Sequence, residues 1–338
     1  MSYLAFRGVE MPGSAIHIRL KNLFVAGSAM VFPLAGQAGT AQYPAHPVTI
    51  VVPFSAGGST DAIGRSIAQR LGEALGKPVV VENKAGAAGA IGSVHVARAR
   101  PDGHTLLLGS DTTISIRPQL SPPPQYDPRR QLVPVGLIAL APIVFVAAPN
   151  LPVRDVQGLV EFGKKQGAPL SYADSGIGTP HYLIGELFKQ AAGIEITHVG
   201  YKGGGEKMND VLAGHVQFTA TELSAAMPYV AQGRLRPIGI ATAKRHENWP
   251  DLPTLAEQGI DSFEASSWFG LFAPAGTPDA ILETLNAELG KILSARELRE
   301  TFRGMSIDAA PVSRSQFAEF LARDRAKWAR AIKASGME

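Results

Sequence analysis

With 338 residues the chain has room for two domains, and an apolar share of 45% against 18% charged residues excludes a disordered protein. Cysteine is absent, which excludes disulfides, thiolate metal sites, a thiol nucleophile and a lipid anchor on cysteine. Net charge is +3 with no basic stripe, which argues against nucleic-acid binding.

The first 41 residues differ in character from the rest. Arg19 and Lys21 precede the apolar run Leu23 to Leu34, and small residues follow to Ala41. Basic, apolar, small is the order of an export signal, with cleavage expected after Ala38 or Ala41 and Met11 as an alternative start. The apolar run is too short for a stable membrane anchor. Setting aside Arg7, Arg19, Lys21 and Glu10 leaves 29 basic and 28 acidic residues, a nearly neutral mature chain.

Val48 to Val52 is β-branched and apolar without alternation, as in a strand covered on both faces. Pro53 ends it, and Phe54-Ser55-Ala56-Gly57-Gly58 forms a bare turn before a helix capped by Ser59 or Thr60. Ile63, Ile67, Leu71 and Leu75 make one helical stripe, Gly76 ends it, and Val79 to Val81 resumes a strand. Such a βαβ unit presents backbone N–H groups at a helix N-terminus, an anion-attracting arrangement. Asp61 lies in the first helical turn, where it either complements the helix dipole or touches a ligand.

A glycine-rich turn follows at Ala85 to Gly92, then a short helix, then strand Thr105 to Leu108 running into Gly109-Ser110-Asp111. Ser121 to Pro128 reads as irregular surface chain. Leu137 to Ala148 is a long apolar stretch crossing to a second domain, where the pattern repeats. Strand Leu170 to Ala173 leads to the loop Asp174 to His181, with Thr179 capping and Pro180 opening a helix. Strand Ile194 to Val199 precedes Tyr201-Lys202-Gly203, and strand Val216 to Ala220 precedes the loop Thr221 to Ser224. Ser262 to Pro274, carrying Trp268-Phe269, returns to the first domain. The tail is helical, with capping boxes at Ser294/Glu297 and Ser313/Gln316. Alternating strands and helices predict parallel sheets with ligands at the C-terminal strand ends. Two lobes joined by crossovers would set these loops face to face.

The ordered set PFSAGGSTD (53–61), PDGHTLLLG (101–109), LSYADSGIGTPH (170–181), HVGYKGG (198–204), GRLRPIGIAT (233–242) and WFGLFAPAGTP (268–278) resembles the Bug (TctC-type) solute-binding proteins. Singly these motifs are weak; in order they span nearly the whole chain after Tyr43. The resemblance implies an α/β, two-lobed periplasmic-binding-protein fold (type II, Venus-flytrap) with two mainly parallel sheets and a hinge. It implies a signal at 1–41, one lobe at 42–146 with 268–338 and another at 147–267. It further implies a periplasmic monomer that hands a small carboxylate to the permease subunits of a tripartite transporter. By resemblance the grip falls on Phe54, Ser55, Ala56, Gly57, Gly58 and Asp61 in one lobe. In the other it falls on Gly176, Gly178, Thr179 and His181, with Tyr201, Lys202 and Gly203 nearby. Ser110 and Thr221 complete the set from their strand ends. Where the family often has an acid, this chain has Thr221, with Glu222 one place later. The Lys84 to Gly92 turn lacks the proline and further glycine that are usual there.

Blander readings stand beside these. His181 caps its helix or bonds the ligand; Lys202 is a solvated loop lysine or a counter-ion; Trp268 and Phe269 are interlobe core or cleft wall. His95, His104, His198 and His215 lack metal-ligand spacing, so no metal and no cofactor are expected. The competing functions are a ligand-presenting sensor component and an exported hydrolase-like enzyme with Asp61 or His181 as acid–base groups. The chain has no GxSxG elbow or HExxH helix for the enzyme.

Overall fold

A computed structural model describes Gly13 and residues 43–201, 204–261 and 263–337. The expected export signal (Gly13 apart) and two of the expected site residues, Lys202 and Gly203, lie outside the described residues. The opening unit is β1 (Val48–Val52), α1 (Ser59–Leu75) and β2 (Val79–Asn83), with β1 and β2 parallel. Next come α2 (Ala90–Ala97), β3 (Thr105–Ser110), a π-helical turn (Asp111–Ile116), a 3-10 turn (Arg117–Gln119) and α3 (Pro128–Gln131). The long β4 (Leu132–Ala147) follows. Beyond it lie α4 (Val156–Lys165), β5 (Leu170–Asp174), α5 (Pro180–Ala192), β6 (Ile196–Gly200), α6 (Gly204–Ala213), β7 (Phe218–Glu222), α7 (Leu223–Ala231) and β8 (Arg236–Ile240). The chain ends with β9 (Ser266–Pro274), α8 (Asp279–Ser294), α9 (Arg296–Gly304), β10 (Asp308–Ala309) and α10 (Arg314–Ala334).

The strands run in the order β2-β1-β3-β9-β4-β7-β5-β6, with β8 and β10 also on β4. Pairing is parallel among β1, β2 and β3 and among β5, β6 and β7, where helical crossovers permit it. Every pair made by β4 or β9 is antiparallel, so the expected parallel sheets are mixed in their middle. Neither strand is reached through a crossover helix of the βαβ kind, and antiparallel pairing needs none.

Each end of this path has its own core. Ile50, Ile63, Ile67, Leu71, Leu106 and Leu285 fill one, with the α1 stripe falling on it as its spacing predicts. Phe145, Tyr172, Phe188 and Phe218 fill the other. β4 serves both: its first half pairs with β9 and its second with β7 and β8. α10 links the second core to a further one, built on Val51, Leu107 and Trp268. Phe317 and Leu321 pack with Trp268 and Phe272, whereas Trp328, Ala331 and Ile332 pack into the Phe145–Phe188 core. No helix among the described residues is long and apolar enough to cross a membrane.

Two capping expectations fail. α1 is capped by Gly58, extended at φ −84 and ψ 172, with no side-chain cap. The helix starts one residue earlier than Ser59 would allow, so Ser59 sits inside it. α9 is capped by Ala295 without a side-chain bond, because Ser294 still belongs to α8 and donates to Gly290 O at 2.8 Å. The Ser313/Gln316 box and the Thr179-Pro180 start form as read.

Candidate functional site

The loop after β1 is held from behind. Asp61 is buried, and its carboxylate accepts from Gly57 N at 3.0 Å, Arg65 Nε at 2.9 Å and Asn83 Nδ2 at 2.9 Å. Asn83 also donates to Phe54 O at 3.1 Å. The Arg65 bond first, then the Gly57 amide, lower the Asp61 carboxyl to about 2. Asp61 therefore fixes the loop, and its oxygens are occupied inside the protein. Gly57 turns at φ +87, a conformation that favours glycine. Ser55, Ala56, Gly57 and Gly58 stay exposed in front of the uncapped N-terminus of α1, and Phe54 half-buries its ring on the core. Uncapped first-turn N–H groups with the positive end of the helix dipole form an anion seat.

The loop after β5 repeats the device. Asp174 is fully buried and takes Gly176 N at 2.6 Å on one oxygen and His198 Nδ1 at 2.6 Å on the other. His198 Nε2 meets Glu186 Oε1 at 2.7 Å. Burial opposes charge on His198, but the two carboxylates outweigh it and raise its pKa. Gly176 and Gly178 turn at φ +96 and +80, leaving Ile177 between them 78% exposed. Thr179 Oγ1 donates to Gly176 O at 2.7 Å and accepts from Tyr182 N at 3.3 Å, capping α5. Tyr201 N bonds Asp174 O, and its hydroxyl is committed to Asp210 at 2.6 Å.

His181 does not cap its helix. Its Nδ1 lies 3.4 Å from Ser175 Oγ and its Nε2 3.3 Å from Glu222 Oε2. Glu222 ends β7 opposite Ile143, and Ser266 on β9 stands opposite Pro142, so β4 exchanges neighbours at this point. A change of neighbours at a strand's end opens a crevice. Glu222 is reached there by Ser267 Oγ and Thr221 Oγ1, both at 3.4 Å. Burial pushes the Glu222 carboxyl up, but His181 and Lys207 hold it well below the usual range. Lys207, on α6, is buried against Ala220 O at 3.2 Å, and burial lowers it to about 8. Sequence reading passed over Lys207; its one signal is the helical spacing that puts it on the buried face with Val211. Trp268 and Phe269 are buried core of β9, with Trp268 Nε1 donating to Asp324 at 2.8 Å.

Ser110 is buried at the end of β3, its N–H bonded to Thr113 Oγ1 at 3.0 Å. Thr221 is buried on β7, one residue inside the strand where a loop was expected. Next to Ser110, Asp111 accepts from Thr112 N at 2.6 Å while its Oδ2 is buried without a partner among the described residues. Burial, then Asp324, push its carboxyl from 3.8 up to about 7. A raised folded pKa means the native state holds this proton more tightly, so stability falls as pH rises from about 4 to about 7. Asp111→Asn cannot ionise, and should flatten that slope and melt higher than the parent near pH 8, by about 2–4 °C per kcal/mol recovered. Equal melting temperatures at that pH would show that Asp111 carries no such burden.

Among the described residues, one group of side chains meets the spacing of a metal site: His46, Asp102 and His104. His104 Nδ1 lies 2.9 Å from Asp102 O and its ring stacks on His46 at 3.7 Å, while its Nε2 is buried without a partner among the described residues.

The family model for the tripartite tricarboxylate transporter family receptor matches residues 63–337. The chain belongs to that receptor family. BugT of Bordetella pertussis is 32% identical over 93% of this chain and 95% of its own. A structure from R. palustris with adipate shares 33% identity, covers 87% of this chain and 99% of its own, and superposes with a TM-score of 0.77. MatC from Rhodopseudomonas palustris with bound malate is 29% identical, with a TM-score of 0.73 over 86% and 100% of the two chains. As a member of the receptor family the protein is a solute-binding receptor and not an enzyme. The two-lobed α/β fold expected from its motifs is that of the family's periplasmic binding proteins.

Proposed function

We propose that this receptor is exported by its first 41 residues, closes two lobes on a small carboxylate and delivers it to the permease subunits of a tripartite transporter. The lobes would be 42–146 with 268–338, and 147–267. The observation that carries the reading is the paired loops: in each, a buried carboxylate takes the first glycine amide of a turn that leads into a helix N-terminus, exposed at Ser55 to Gly58 in one loop and at Ile177 in the other. The bound adipate and malate in related proteins support the ligand class.

In this reading Phe54 to Gly58 hold one end of the ligand and Gly176 to Thr179 with His181 the other. Ser110 and Thr221 line the floor, and Asp61 and Tyr201 position the loops. Glu222 would accept from a ligand hydroxyl or amine. Four or five charge-assisted hydrogen bonds of about 1.5–3 kcal/mol each sum to roughly 6–15 kcal/mol, a range that takes in the roughly 8 kcal/mol of micromolar binding.

A thermal-shift screen of carboxylates, starting with adipate and malate, should find one that raises the melting temperature. Small-angle scattering with that ligand should then show a smaller radius of gyration, because a ligand touching both lobes favours the closed state. If no carboxylate stabilises the protein, the reading fails. Intact mass of the exported chain should correspond to cleavage after Ala38 or Ala41.

A further inference from the structure

The proline-rich stretch after the π-helical turn is more than surface chain. Residues 114–131 curl around a cavity of about 690 Å³, closed on one side by Arg325 of α10. That size falls in the roughly 300–1,000 Å³ range of small-molecule pockets. The wall sets stiff, apolar Pro118, Pro124 and Tyr126 beside the polar Gln119, Gln125, Asp127 and Arg129. It is also tied in place. Tyr126 donates to Thr113 O at 2.5 Å, Arg117 to Pro122 O at 2.9 Å, and Gln119 Nε2 to Arg325 O at 3.2 Å.

Two polar groups buried at the wall of this cavity have no partner among the described residues. Ser115 is wholly buried and its Oγ bonds nothing; Arg325 Nε is buried and bonds nothing. No ion pair to Arg325 is formed among the described residues, and the acids near it are engaged elsewhere. Asp324 holds Trp268 Nε1 and Lys327 Nζ; Asp127 caps α3 through Arg129 N at 2.9 Å. Arg129 is a second cation on the same cavity. Asp127 and Asp324 offset the half-buried guanidinium only through space, and a bound anion would pair with it directly.

We propose that this cavity is an accessory site, separate from the interlobe crevice, for a carboxylate with an apolar body. The planar fork of Arg325 matches a carboxylate in two parallel bonds. The Ser115 hydroxyl donates to the same group, and the apolar body lies along Pro118 and Pro124. A tetrahedral anion such as phosphate would turn charged oxygens toward proline rings that offer no N–H.

Benzoate is the probe, titrated calorimetrically into the full exported chain, with inorganic phosphate as comparison. The wild type should bind benzoate, and Arg325→Gln should weaken one binding event about tenfold or more (about 1.4 kcal/mol) with the unliganded protein melting no lower than the parent. Arg325→Lys keeps the charge without the fork and should restore only part of the affinity. Ser115→Ala, which keeps the guanidinium, should weaken the same event several-fold. The site is refuted by absence of benzoate binding, by benzoate binding that ignores both Arg325→Gln and Ser115→Ala, or by phosphate binding as tightly as benzoate. These results stand apart from the crevice, whose own test is Gly58→Val.

Discussion

Gly58→Val should fold normally and lose carboxylate binding. Gly58 has an ordinary extended backbone, and a Cβ built on it meets only Ser55 O, at 3.9 Å. The substitution therefore introduces neither clash nor strained φ, unlike one at Gly57, where φ is +87. The isopropyl group would stand in front of the uncapped first turn of α1, where an anion must approach. Calorimetry with the ligand found by screening should show affinity reduced about tenfold or more, about 1.4 kcal/mol. Stability without ligand should fall by only about 0.5–1 kcal/mol, because valine is a poorer N-cap than glycine. A folded variant that binds as tightly as the parent would remove this loop from the grip.

Trp328→Ala should have the largest effect on stability. Trp328 is fully buried on α10, in the core of Phe145 and Phe188, while Phe317 on the same helix lies in the core of Trp268. Truncating a buried tryptophan leaves a cavity and costs about 3–5 kcal/mol. The loss falls on the helix that joins both cores, so denaturant unfolding of both lobes should shift together. A change below about 1 kcal/mol, or two separate transitions, would mean that α10 does not couple them.

The sequence made the βαβ unit legible because its signals are local. A β-branched run, a glycine turn and a four-residue stripe each state their structure without help from distant residues. The second lobe's Thr179-Pro180 start was legible for the same reason. What stayed hidden is long-range. Nothing adjacent to Asp61 announces that Asn83 and Gly57 will consume its oxygens, and Glu222, Lys207 and His181 meet only through the pairing of β7 with β4. The antiparallel middle of the sheet was hidden too, because β4 and β9 find each other across more than a hundred residues. The Ser59 cap failed because two adjacent residues both suit the role, and the backbone turns at a third.

β4 has one further consequence. Side chains alternate along a strand with a period of two, so inserting or deleting one residue flips everything beyond it to the other face. Here a single strand sets the alignment of both sheets, with the handover between Pro142 and Ile143. A length change at that seam would leave each sheet correctly paired within itself and turn one inside out relative to the other. The seam is therefore the place in the chain where the number of residues matters more than their identity.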